Sequence, residues 1–425
     1  MPEAPPAGPT PAHPSPAAPP ARPATEPSVA TPAGRGAALP LPPGSVPSEA
    51  ELGAFLANLP AMDVPARLER LRESLEAEGL AAMLVTSLTN LRYLCGFSGS
   101  AGMLFVLPSG VVLLTDGRYG QQAGEQLEAA GVAARVEVAP AAGQAALGRG
   151  LLEGTGVERL ALEAEHLSWA RQRSFAADWF PGVEPVPTVG MVERLRSVKD
   201  EGEIARLTAA AAVADAAFAA VRPLLAEGPD ERSFALALEV EMRRLGASGP
   251  SFETIVAAGP NGSKPHHRPG GRVVGPAEPV VVDFGALVDG YHSDMTRTVW
   301  VRPPVEAELR RAVEVVAESQ AAGVAAVSPG QPCRCVDEVC RQVIARAGWA
   351  ERFVHGTGHG VGLDIHEAPS VSAASVDTLQ VGQVVTVEPG VYLPGLGGVR
   401  IEDTVVVTEG GCRPITTTPK DSCAT

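Results

Sequence analysis

The chain has 425 residues, 45% of them hydrophobic, and carries 49 acidic against 34 basic side chains for a formal net charge of -15. Length and apolar content suit two or three domains with buried cores, and the acidic balance without a dense Lys/Arg run excludes a phosphate-backbone binder. No apolar stretch is expected to span a bilayer, because the long run AAAAVADAAFAAV is alanine-rich and interrupted by Asp215.

Sixteen of the forty prolines fall between Pro2 and Pro47, among alanine and small polar residues. Such a segment has little to bury, so residues 1–58 are expected to form a disordered, partly polyproline-like tail. It lacks a charged start followed by an apolar core and does not read as a secretory signal; Met62 is an alternative start. Regular patterning begins at residue 59. ARLERLRESLEAEGL has apolar residues at helical spacing and stops at a glycine, and AAMLVTS reads as a strand. NLRYLCGFSGSAGMLFVLPSGVVLLTDGRYGQQA then alternates strands and turns. Near VGMVERLRSVKDEGEIARL a strand gives way to a long amphipathic helix from about Lys199, so one domain spans 59–194 and the next 195–425. SFALALEVEMRRLGA, ELRRAVEVVAESQAAGVAAV and VDEVCRQVIARAG are further helices that would back the strands between them.

The six cysteines show no disulfide-framework spacing. Cys333, Cys335 and Cys340 cluster in PCRCVDEVC, but no second cluster completes four zinc ligands, so they read as free thiols at a helix start. Free thiols point to the cytoplasm.

Five residues in the second domain carry the chemistry: Asp283, Asp294, His359, Glu388 and Glu402. One imidazole and four carboxylates suit a pair of divalent cations, favouring manganese with cobalt or zinc as alternatives, and two cations can hold a hydroxide between them. VVVDFGALVDGYHSDMTRTVWV reads as a hairpin turning near Asp289-Gly290, with Asp283 and Asp294 on facing arms. VVTVEPGVY and GGVRIEDTVVVT present Glu388 and Glu402 in a second such unit. Two acids facing two acids are costly without a cation, because like charges raise one another's pKa. Arg400 alternates with Val399 and Ile401 and so shares a face with Glu402, where it would orient a ligating carboxylate.

These segments, SFETIVAAGPNGSKPHH, DFGALVDGYHSDMTRT, HGTGHGVGLDIHEAP, VEPGVY and GVRIEDT, occur in an order and spacing that resemble the metal-dependent Xaa-Pro peptidases, which include aminopeptidase P and prolidase. The resemblance covers roughly residues 60 to 420 and implies an α/β (α+β) chain. A carboxy-terminal pita-bread metallopeptidase domain would follow a smaller creatinase-like domain carrying Phe97, Ser98, Gly99 and Asp116 to Tyr119. It implies that Asp283 binds one metal, His359 and Glu388 the other, and Asp294 and Glu402 both. It also implies that His266 and His366 lie over the metal pair as donors to the scissile carbonyl, that His355 contacts substrate, and that the chain forms a homodimer or higher homo-oligomer. Glu388 is the candidate general base. His267 and His292 have no matched role and are assigned to solvent or packing.

Peptides with proline second are the implied substrates. Prolidases often carry an arginine just after HE-x-P to pair with the free carboxylate of the substrate proline. Here HEAPSVS puts Ser370 in that place, which favours an aminopeptidase over a dipeptidase. Methionine aminopeptidase normally lacks the extra amino-terminal domain, and noncatalytic scaffolds of this fold have lost the ligand set.

Overall fold

The structure is a computed structural model that describes residues 46–420. The expected tail boundary at residue 58 does not hold, because residues 49–57 are helical. Helix Glu49–Ala57 starts at Ser48, whose hydroxyl accepts from the backbone of Glu51 while the Glu51 carboxylate accepts from the Ser48 backbone. Leu52 and Phe55, three residues apart, bury against the helix Glu201–Val221. Averaging composition over the proline-rich start hid this capping box and apolar pair; residues 1–45 lie outside the described residues. Because the composition of residues 1–45 offers little to bury, deleting through residue 45 is expected to leave the melting temperature nearly unchanged. Deleting through Asn58 removes two buried side chains and is expected to cost about 3–6 kcal/mol, as read by urea unfolding of the two truncations.

The first domain is a six-stranded mixed sheet. Its order is Ala134–Val138, Gly110–Thr115, Gly102–Leu107, Met83–Val85, Arg159–Glu163 and Glu184–Thr188. Gly102–Leu107 runs antiparallel to both neighbours, and the remaining pairs are parallel. Two segments read as strand or turn are helical. Leu88–Cys95 is capped by the Ser87 hydroxyl and closed by Gly96 at φ 75°, and Met191–Ser197 intervenes before the long helix. The latter runs across the expected boundary at 194/195, so the change of architecture falls at Val198–Asp200.

The long helix corrects another expectation. Glu201–Glu227 is long and apolar enough by composition to cross a membrane. Its alanines instead let neighbours approach closely, and most of it is buried. Asp215 is fully buried and accepts from the backbone and hydroxyl groups of Thr417 and Thr418.

The second domain holds two similar halves. In one, helices Glu201–Val221 and Glu231–Arg244 pack with strands Ile255–Ala258, Val280–Phe284 and Met295–Val299. In the other, helices Ala307–Ala326 and Cys333–Arg346 pack with Val384–Val387 and Asp403–Thr408. The two hairpins meet at their centres, where Glu402 N donates to Thr296 O at 3.1 Å and Thr298 Oγ1 to Arg400 O at 2.8 Å. The first hairpin turns at Asp289 and Gly290, with φ 45° and 78°, the left-handed pair that a tight two-residue turn requires. Its tip is clasped from both domains: the Asp289 carboxylate accepts from Arg92 at 2.8 Å and from Arg206 at 2.6 Å.

Candidate metal centre

Strand register explains why the acids converge. Asp283 pairs with Thr296, and side chains two apart share a face, so Asp283, Thr296 and Asp294 project together. The ladder breaks at Gly285 opposite Asp294, where a Cβ would sit 1.8 Å from the Ser293 carbonyl oxygen. The second hairpin repeats the device. Val387 pairs with Asp403 and Gly390 with Arg400, so Glu388 and Glu402 face each other where the ladder lapses. His359 comes from the short strand Gly358–Gly360, which passes so close to the Thr386 carbonyl that a Cβ on Gly358 would lie 2.0 Å from it.

All five candidates come together. Ligand atoms of Asp283, Asp294 and Glu402 lie within 4.8 Å of one another. His359 Nε2 stands 3.4 Å from Glu388 Oε1 and 3.5 Å from Asp294 Oδ2. Those gaps are long for hydrogen bonds, and two ligands at about 2.1 Å from one ion would themselves lie about 3.0–3.4 Å apart. His359 Nδ1 meets the Gly360 carbonyl at 3.0 Å, so that nitrogen can keep its proton there when Nε2 gives up its own to bind a cation. Asp283 Oδ1 and Glu402 Oε1 are buried without a hydrogen-bond partner, an expense that a cation would remove.

Electrostatics give the same reading. Burial raises the Asp294 carboxyl to about 7, with Asp283 and Glu388 adding to the rise against His359. Burial and then the charges of Asp294, Glu388 and Asp283 push Glu402 well above the carboxylate range. Burial also raises Asp283, against the opposing charge of Arg400. Glu388 is pushed up by burial, but its contact with His359 outweighs this and leaves it lowered. Without positive charge this cluster holds protons it would surrender to metal.

Arg400 directly grips the carboxylate of Asp283 rather than that of Glu402. Its Nη2 donates to Asp283 Oδ2 at 2.5 Å and Nη1 to the Tyr392 hydroxyl at 2.8 Å, and it touches Glu402 only through Thr296. The Thr296 hydroxyl accepts from Arg400 Nε at 3.1 Å and donates to Glu402 Oε2 at 2.8 Å. Thr296 and Tyr392 were not singled out in the sequence. The DMTRT alternation, which sets Thr296 two residues from Asp294, was the available signal for the first.

A cavity of about 540 Å³ opens over the centre, lined by His266, His355, His359 and His366 together with Asp283, Asp294, Glu388 and Arg400. Glu402 lies deeper and is fully buried. The His366 ring stacks edge-on at 4.4 Å from His359, and burial followed by the charge of His359 lowers its pKa. His355 reaches the cavity, yet both its ring nitrogens are engaged, with Gly356 O at 2.8 Å and the Tyr392 hydroxyl at 2.7 Å. It therefore supports Tyr392 rather than offering a free nitrogen to substrate. His267 is not idle: Nε2 meets the buried Glu231 carboxylate at 2.8 Å, and Glu231 also accepts from Ala258 N, Asn261 Nδ2 and Gly270 N. Glu231 thus clamps the loop that carries His266. His292 packs as expected, with Nδ1 at 3.1 Å from Ser251 O.

Glu367, next to His366, is fixed by Lys199 at 3.0 Å and by Arg196, which also reaches Asn90 of the first domain at 2.8 Å. Burial alone would raise Glu367, but Lys199 and Arg196 outweigh it and hold the carboxyl at about 2, below its ordinary 4.5. A depressed carboxylate contributes stability that is full above 4.5 and falls as pH drops toward 2. The stability gap between wild type and Glu367→Gln is expected to be about 3 kcal/mol above pH 5 and to narrow by about 1.4 kcal/mol per pH unit below 4.5. Urea unfolding at pH 5.5, 4 and 3 measures it, and a pH-independent gap would refute it.

Sequence profiles match the Creatinase/Prolidase N-terminal domain over residues 67–198 and Metallopeptidase family M24 over residues 205–409. The chain is 39% identical over 355 residues to the Bacillus subtilis protein named uncharacterized peptidase YqhT, covering 84% of this chain and 99% of that one. The chain belongs to metallopeptidase family M24. This M24 enzyme is also similar to the solved Xaa-Pro dipeptidase from Bacillus anthracis, at 35% identity and a TM-score of 0.80, covering 85% of this chain and 99% of that one. The X-Pro aminopeptidase from Thermotoga maritima matches at 31% identity and a TM-score of 0.76, over 82% and 99%. Within M24 the chain falls among the Xaa-Pro peptidases, metal-dependent hydrolases that act on proline-containing peptides. The creatinase-like first domain and the pita-bread second domain agree with the fold expected from the sequence.

Proposed function

We propose that this enzyme removes the amino-terminal residue from peptides with proline second, using two divalent ions held by Asp283, Asp294, His359, Glu388 and Glu402. The observation that carries the reading is the convergence of these five side chains under one cavity, with two buried carboxylate oxygens lacking any other partner. A divalent pair held by these residues, manganese by ligand chemistry, would supply Lewis acidity to the site. Glu388, at the cavity wall, would serve as the general base that takes a proton from an attacking water. His366 and His266 donate to the oxygen on which negative charge develops. Arg400 and Thr296 hold Asp283 and Glu402 in orientation, so the acids need not reorganise during turnover.

Ser370, which stands where prolidases often carry an arginine, lines the cavity and is uncharged. That supports the aminopeptidase. A second reading, dipeptide hydrolysis, is favoured by the name of the Bacillus anthracis relative, while the Thermotoga maritima relative carries the other name. Formation of a homodimer or higher homo-oligomer, and a cytoplasmic location in keeping with the free thiols among the described residues, belong to the same reading. The test is purification with manganese, then comparison of Xaa-Pro with Xaa-Pro-Yaa hydrolysis before and after chelation. The expected result is two ions per chain, loss of activity on chelation, and preference for the longer peptide. No turnover of either peptide would overturn the reading.

A further inference from the structure

Two guanidinium groups line the cavity, and they are placed very differently. Arg400 is buried and fully occupied by Asp283, Tyr392 and Thr296. The Arg268 side chain is 82% exposed, and among the described residues its one partner is Glu253, another cavity residue, whose Oε2 lies 3.2 Å from Arg268 Nε. That contact uses one edge of the guanidinium and leaves the two Nη groups free to form a fork with a second carboxylate. Arg268 also follows His266 by two residues, on the loop that Glu231 clamps through His267 and Gly270.

The position suits a particular feature of the substrate. With His266 at the scissile carbonyl, two residues of chain carry the backbone at most about 7 Å further, and one substrate residue spans about 3.5 Å. A flexible arginine at that distance reaches the group one residue past the scissile bond. In an Xaa-Pro dipeptide that group is the free carboxylate of proline; in a longer peptide it is a neutral amide.

We propose that Arg268 pairs with the carboxylate of a substrate that ends at proline, and so sets how well dipeptides compete with longer peptides at this site. The inference rests on the Xaa-Pro peptidase reading above. It gives the enzyme a cation for dipeptides from a loop far in sequence from Ser370, the position where the arginine of prolidases is absent. Glu253 steadies the guanidinium through Nε and moderates its pull on acidic ligands.

The experiment compares wild type, Arg268→Gln and Arg268→Lys on Ala-Pro, Ala-Pro-amide and Ala-Pro-Ala, with manganese added throughout. The expected result is a fall of about tenfold in the ratio of kcat/KM for Ala-Pro over Ala-Pro-amide in Arg268→Gln, carried by KM, with partial recovery in Arg268→Lys. In wild type, raising salt lowers the same ratio because the pair is exposed, and in Arg268→Gln it does not. An unchanged ratio, or an equal loss on all three peptides, overturns the role of Arg268 while leaving the Xaa-Pro reading intact. Failure of wild type to cleave any of the three overturns both.

Discussion

Glu402→Ala is expected to lower kcat/KM on an Xaa-Pro-Yaa peptide by about a thousandfold or more, while making the metal-free protein more stable. The activity loss follows from removing one of the carboxylates that would hold the ions, since Lewis-acid stabilisation of several kcal/mol corresponds to about three factors of ten in rate. The stability gain has a separate cause. Burial and three acidic neighbours push the Glu402 carboxyl well above its ordinary range, and its Oε1 is buried without a partner. Removing such a group relieves a desolvation cost that no cation offsets in the metal-free state. Thermal melting with chelator and with manganese should therefore shift in opposite directions relative to wild type. Wild-type turnover by the variant would end the two-ion proposal, and equal shifts under both conditions would end the electrostatic account.

The second large effect separates two histidines whose rings are 4.4 Å apart. His366→Ala is expected to keep both ions and to lose about 10²–10³-fold in kcat, the usual consequence of removing a donor aimed at a developing oxyanion. His359→Ala should lose metal as well as rate, because Nε2 faces Glu388 and Asp294 and the ring is held by Gly360 O. Metal stoichiometry and kcat measured on one peptide decide the matter. Metal loss in His366→Ala with retention in His359→Ala would reverse the two roles.

Much of this centre was legible because β-strand geometry is local. The apolar run before Asp283, the Asp289-Gly290 turn and the β-branched return strand define a register, and register alone sets Asp294 on the face of Asp283. The same alternation separates Glu402 from its neighbour Asp403, which turns away to Arg297 and Lys420. What escaped depends on contacts between distant segments. Nothing near Glu231 announces that it clamps a loop some thirty-five residues on, and nothing near Tyr392 announces that it joins His355 to Arg400. The helix Leu88–Cys95 was missed because its apolar residues read equally well as a short strand, and only the Ser87 and Gly96 caps distinguish them.

The clasp on Asp289 bears on how the enzyme can be divided. Every proposed ligand comes from the second domain, so a fragment starting at Asp200 would contain the complete chemistry on paper. Yet the hairpin that carries two of those ligands ends in a carboxylate held by Arg92, from the first domain, as well as by Arg206 from its own. A β-hairpin is a stiff lever, and freeing one of its fastenings loosens the spacing of the aspartates near its other end. The first domain is thus a structural abutment for the proposed metal centre. The seam between the domains makes a poor place to cut, and a sensitive one to mutate.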